Sequence, residues 1–287
     1  MSAVPMPVGP NVMPEPALLF PDPASMPLRS PLRRRVAGSL LAAVGAAAGC
    51  SWLPHETGEP IPPVAPGPDD SLGIPRFSTA PADGRLPPGW APYVLRKDKR
   101  PTRYEAVASD RGTVLRALAE RAATGAYTRT ARVLDPGVVL SWSWRTDALI
   151  DEADVSDYDL DDSPARIALS FDGDKSTFGF RDKLFYEKVK LFTGVELPWA
   201  SLMYVWDSQA PVGTVISYKH TNRIKYLVVE SGADGLGGWR SYERNLLADF
   251  ERAFGERPRR LDAVGVLTDT DDLGVTVETL YGDLSFG

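Results

Sequence analysis

The chain has 287 residues, 43% hydrophobic and 24% charged, with one cysteine, two histidines and a net charge of −6. That is enough apolar material for one sizeable core. The acidic balance excludes a nucleic-acid binder, whose affinity comes from basic surface that releases counterions; one basic run, RKDKRPTR (Arg96–Arg103), reads as a solvated strand edge.

Residues 1–29 and 54–75 are rich in proline and poor in aromatics, so they bury too little to offset their ordering entropy and are expected to be disordered. Between them Leu32–Arg35 is basic and Val36–Gly49 is apolar and small. The apolar run fits the roughly 7–15 residues of a secretory signal core and falls short of the about 20 needed to span a bilayer. Its end, Ala47-Ala48-Gly49-Cys50, resembles the lipobox of bacterial lipoproteins, in which small residues admit the signal peptidase and the cysteine is lipidated. That resemblance implies a signal over residues 1–49, a lipid anchor on Cys50 and a linker over 50–75. Ser51, where an aspartate would retain the protein at the inner membrane, implies an outer-membrane anchor facing the periplasm. Translation from Met26 would give the signal an ordinary basic start, leaving residues 1–25 outside it; no twin-arginine consensus follows Arg33–Arg35. With its one cysteine at the anchor position Cys50, the folded part is expected to have no disulfide.

A single domain is expected over residues 76–287, built from short alternating segments. VVLSWSW (Val138–Trp144) alternates Val138, Leu140, Trp142 and Trp144 against smaller residues, as a strand with one buried face does. RIALSF (166–171), LMYVW (202–206), RIKYLVVE (223–230), AVGVLTD (263–269) and TLYGDLSF (279–286) read likewise. NLLADFERAF (245–254) is the one helix predicted, with Leu246, Leu247, Phe250, Ala253 and Phe254 on one face and Gly255 as its stop. Many strands without regular alternation with helices point to an all-β sandwich. TVLRALAERA (113–122) fits either a helix by propensity or a strand by alternation.

Read together, the Tyr204-x-Trp206 strand, the Pro211–Thr214 turn, the Val228–Gly232 strand end, the Asp249–Gly255 helix, the Thr268–Asp271 turn and the closing Tyr281–Asp283 resemble a bacterial family known as domain of unknown function 3047. LSWSWR (140–145) and DLDDSPARIALSF (159–171) extend the likeness to most of residues 77–287. Asp272 and Leu273 depart from the asparagine and small residue expected after that turn. The family's layout is similar to the jelly-roll sandwiches of carbohydrate-binding modules, which implies a jelly-roll-like antiparallel β-sandwich and a strand at 113–122.

His220, in a polar loop, is the one histidine beyond the linker's His55, and no Gly-x-Ser-x-Gly accompanies it, so a Ser-His-Asp site is not expected. SGADGLGGW (231–239) lacks the lysine and spacing of a phosphate loop. Acidic turns offer hard oxygen ligands that suit calcium: Asp157, Asp159 and Asp161 imitate the start of an EF-hand but lack its sixth-place glycine and twelfth-place glutamate. A glycosidase would need two carboxyls about 5–9.5 Å apart, from among Glu187, Glu196, Glu230, Glu278 and Asp283. Trp142 and Trp144 read as core. Trp199, Tyr218 and Trp239 read as loop aromatics that, with Asp269 and Asp271, could contact a ligand. The expectation is an envelope protein that binds a ligand such as a glycan, with an envelope-polysaccharide hydrolase and an assembly partner of another envelope protein as alternatives.

Overall fold

In the strand Val139–Thr146 every second side chain is buried, and the buried set includes Leu140, Trp142 and Trp144. That period of two is what a sheet with one covered face requires. The computed structural model describes residues 73–94 and 98–287. The signal-like segment, Cys50, the proline-rich linker and residues 95–97 lie outside the described residues, which all fall within the unit Gly58–Gly287.

Thirteen strands form among the described residues: β1 (Ala91–Tyr93), β2 (Arg103–Ser109), β3 (Gly112–Glu120), β4 (Ala123–Arg132), β5 (Val139–Thr146), β6 (Ser163–Asp172), β7 (Ala200–Asp207), β8 (Val215–Ser217), β9 (Ile224–Ser231), β10 (Arg240–Asn245), β11 (Arg260–Asp269), β12 (Thr276–Tyr281) and β13 (Ser285–Phe286). Two helices join them, α1 (Phe180–Thr193) and α2 (Leu246–Phe254). The strands make a seven-stranded sheet, β1-β4-β11-β6-β7-β9-β8, and a six-stranded one, β10-β5-β12-β3-β2, with β13 also on β5. The fold is a β-sandwich. Its seam is aromatic: Trp142 of β5 stacks on Tyr204 of β7 at 4.9 Å, and Trp144 lies 6.3 Å from Trp206.

The segment 113–122 is a strand, β3, with Val114, Leu115, Ala117 and Ala119 buried. The sandwich is antiparallel but for one pair: β7 and β9 run parallel, and between them the chain returns through β8, which lies antiparallel along the far edge of β9. One expected strand is corrected. TLYGDLSF is not one strand: β12 ends at Tyr281, Gly282 donates its N–H to the Ser143 carbonyl at 2.9 Å, and pairing resumes only at Ser285 as β13 on β5.

α2 forms as read from its apolar stripe. Asn245 accepts from the Ala248 N–H at 2.9 Å and Gly255 closes the helix at φ 72°. Phe250 packs on Phe171 of β6 at 4.6 Å. The second helix, α1, was not expected. It docks by Asp182 and Tyr186: Asp182 accepts from Thr221 Oγ1 at 2.6 Å and the Asn222 N–H at 2.9 Å, and Tyr186 lies 4.9 Å from Phe178.

Candidate functional site

The ladder registers place small side chains side by side on the outer face of the seven-stranded sheet. Gly265 of β11 pairs with Tyr127 of β4 on one side and Ala168 of β6 on the other, and Ala168 pairs with Met203 of β7. In the next row Arg129, Ala263, Ser170 and Ser201 follow the same order. In these rows β11, β6 and β7 contribute Gly265, Ala263, Ala168, Ser170 and Ser201 where a sheet face ordinarily carries bulk. The result is a groove of about 510 Å³, inside the usual size range of small-ligand sites.

Its walls are larger. Tyr93 and Tyr127 stand at the β1–β4 side with ring centroids 6.0 Å apart and planes at 77°, and Val195, Glu196 and Pro198 line the groove as well. Gly125 and Gly265 keep the floor low, since a Cβ at either would meet a neighbouring backbone carbonyl, at 2.9 and 3.0 Å.

Two carboxylates line the groove, and both are ion-paired. Glu196 accepts from Lys175 Nζ at 2.9 Å, a hydrogen bond that holds it below the usual carboxylate range, and Asp262 pairs with Arg260 Nε at 2.5 Å. A glycoside hydrolase needs one carboxyl raised to act as acid; here Glu196 is held low and Asp262 is engaged by Arg260. The other carboxylates considered for hydrolysis sit elsewhere. Glu187 is on α1, Glu278 on β12, and Asp283 accepts from Ser78 N and Oγ. Glu230, which burial alone would raise, is held low by Arg240 and the Tyr242 hydroxyl at 2.6 Å.

The residues expected to contact a ligand are scattered. Trp199 is corrected from loop to core: it is buried, stacked on Phe250 at 5.8 Å and covered by the Arg223 guanidinium at 4.2 Å, because α2 crosses the start of β7. Trp239 lies by the β2–β3 turn, its Nε1 donating to Asp110 Oδ1 at 3.2 Å with Arg111 over the ring. Tyr218 is in a cluster with Tyr158, Phe185 and His220.

Asp269 and Asp271 belong to a third place, a charged knot at the end of β6 and β11. At its centre buried Arg166 pairs with Asp161 Oδ1 at 3.0 Å, and Asp161 Oδ2 accepts from the Tyr226 hydroxyl at 2.6 Å. Burial, and then Asp162, Asp161 and Asp272 beside it, push the Asp269 carboxyl up to about 7 against the pull of Arg166. Asp271 pairs with Lys99. Asp157, Asp159 and Asp161 do not assemble as an EF-hand: Asp157 caps a 3-10 turn by accepting from the Asp159 N–H, while Asp161 is taken by Arg166. The carboxylates that do converge are Asp162, Asp271 and Asp272, with ligand atoms all within 4.8 Å. There the Lys99 ammonium, 3.6 Å from Asp272, supplies counter-charge, and Asp162 accepts the Asp272 and Leu273 N–H groups.

The sequence from β1 to β13 matches one family model over residues 88–285, described as "Protein of unknown function (DUF3047)". The chain belongs to that family. No curated protein matches it. Solved structures similar to it include the family 11 carbohydrate-binding module of Clostridium thermocellum in complex with a β-1,3-1,4-mixed-linked tetrasaccharide, at 7% identity over 75% of this chain and 94% of that one, TM-score 0.34. The xyloglucanase domain of NopAA from Sinorhizobium fredii, in complex with cellobiose, is 9% identical over 72% and 98%, TM-score 0.37. The K1 cleaved adhesin domain of Lys-gingipain from Porphyromonas gingivalis W83 is 11% identical over 76% and 98%, TM-score 0.33. At identities this low the likeness reaches no side chain.

Proposed function

We propose that this protein binds a carbohydrate chain in the groove across its seven-stranded sheet. The observation that carries the reading is the groove's make-up: a floor of Gly265, Ala168, Ala263, Ser170 and Ser201 beneath the Tyr93–Tyr127 pair. Sugar rings have flat C–H faces that pack on tyrosine rings and hydroxyls at their edges. Arg129, Arg260, Ser170 and Ser201 supply polar partners for those edges. The paired state of Glu196 and Asp262 favours holding the ligand over cleaving it.

Calorimetric titration of the full chain against a glycan panel, including peptidoglycan and lipopolysaccharide fragments, tests this. A binder whose affinity falls about three- to tenfold in Tyr127→Ala, the scale of one aromatic stack, is the expected result. No binding across the panel, or a binder indifferent to Tyr127→Ala, overturns it.

We further propose a cell-envelope location with a lipid on Cys50, which the basic, apolar and small-residue run ending at Cys50 supports. Radiolabelled acyl chain should enter the wild-type protein and not Cys50→Ser; equal labelling of the two would sink the anchor.

A further inference from the structure

Helix α1 has two apolar sides, and only one is used. At 3.6 residues per turn, Asp182, Tyr186, Val189 and Thr193 share the stripe that packs on the domain. Phe180, Leu184 and Leu191 share the stripe opposite, pointing outward. Phe180 is 82% exposed, Leu191 79% and Leu184 47%, and Phe192 beside them is 80% exposed. Large apolar side chains gathered like this on a water-facing ridge mark a contact surface.

The flanks of the ridge say what covers it. Arg181 and Lys188 run along one side, and Lys183 and Lys190 along the other; Arg181 also donates to the Lys219 carbonyl, and Lys190 lies 3.8 Å from Glu196, both of them contacts at the exposed surface. Of the two acids in the helix, Asp182 is turned inward to Thr221 and Asn222, leaving Glu187 alone on the outside. A chain of net charge −6 thus concentrates four cations around its most exposed phenylalanines. Beside the ridge a recess of about 810 Å³ is lined by Arg181, Lys188, His220, Phe185 and Phe192, with Asp98 also at its wall. An apolar stripe bordered on both sides by lysine and arginine is the arrangement of a helix lying in a membrane interface, with apolar residues among the acyl chains and cations at the phosphates. A second copy docking by the same face would set four cations against four.

We propose that α1 seats this domain on an anionic lipid surface, with Phe180, Leu184 and Leu191 entering the acyl boundary and Arg181, Lys183, Lys188 and Lys190 meeting lipid phosphates. This is independent of the glycan reading. The test is co-sedimentation of the full chain carrying Cys50→Ser, so that no acyl anchor contributes. Vesicles of phosphatidylcholine and phosphatidylglycerol in equal parts are compared with vesicles of phosphatidylcholine alone.

Binding should be at least about tenfold stronger on the anionic vesicles and fall with added salt. Phe180→Ser with Leu191→Ser should remove it while leaving the thermal midpoint unchanged, since both side chains are exposed. Lys183→Glu with Lys188→Glu should remove the anionic preference. Failure to bind anionic vesicles, or equal binding by the serine variant, overturns the proposal. A self-association in sedimentation that the serine substitutions abolish, without vesicle binding, overturns it in favour of a dimer face.

Discussion

Gly173 lies beneath the indole of Trp199, so close that a Cβ built on it would fall 2.1 Å from Cδ2 of the ring. The glycine is what lets α2 press Trp199 flat between Phe250 and the end of β6. Gly173→Ala must therefore displace the indole, and overpacking of this kind costs about 1–3 kcal/mol. Denaturant unfolding of the variant should show that loss; an unchanged midpoint would mean that the indole has room to shift.

Arg166 and Asp161 form a buried pair at 3.0 Å, with the guanidinium 5.4 Å over the Tyr226 ring. Removing one partner strands the other charge in the interior. Arg166→Leu is expected to destabilise the fold by about 3–5 kcal/mol, and adding Asp161→Asn should recover a good part of it. A double-mutant cycle reads the coupling directly, and additive losses would show that the pair contributes nothing.

Asp269 works in the opposite sense. Its folded pKa, about 7, stands above its unfolded value. The stability tied to its neutral form is therefore complete at about pH 4 and lost as pH rises through about 7. Its Oδ1 is buried with no hydrogen-bond partner among the described residues. Asp269→Asn should match the wild type at about pH 4 and exceed it by roughly 1–3 kcal/mol at about pH 8. Melting curves at the two pH values decide, and a variant less stable at the higher pH would contradict this account.

Ala168 is half-exposed on the groove floor, between Gly265 and Met203. Ala168→Phe would fill the groove from below without touching the inter-sheet core. Glycan affinity should drop more than about tenfold, while stability changes by less than about 1 kcal/mol, as for other surface positions. Retained binding would move the ligand off this face.

What could be read from the sequence depended on whether a residue's surroundings were local. β5 alternates cleanly, and α2 has one apolar face, so both are visible in their own residues. In α1, Tyr186 and Val189 point one way and Phe180, Leu184 and Leu191 the other, so no single stripe stands out and the helix is hidden. β4, with Ala123, Gly125 and Ala126 among threonines and arginines, has too little bulk to show alternation, and β10 is polar. Trp199 follows a proline and reads as loop, yet its burial is decided by Phe250 and Arg223, which are distant in the chain. The groove was invisible for the same reason. Gly125, Ala168, Ser201 and Gly265 are unremarkable one by one, and only the pairing of β4, β11, β6 and β7 turns four small residues into one trough.

The strand order also dictates when this protein can fold. β11 lies between β4 and β6, and β12 between β3 and β5, so each sheet lacks an interior strand until residues 260–281 are available. A nascent chain ending before Arg260 has two incomplete sheets and no way to close either. Pairing over such separations is slow, so the sandwich closes only once β11 and β12 can reach their neighbours. For the same reason, deletion of the final strands should abolish the whole sandwich rather than trim one edge.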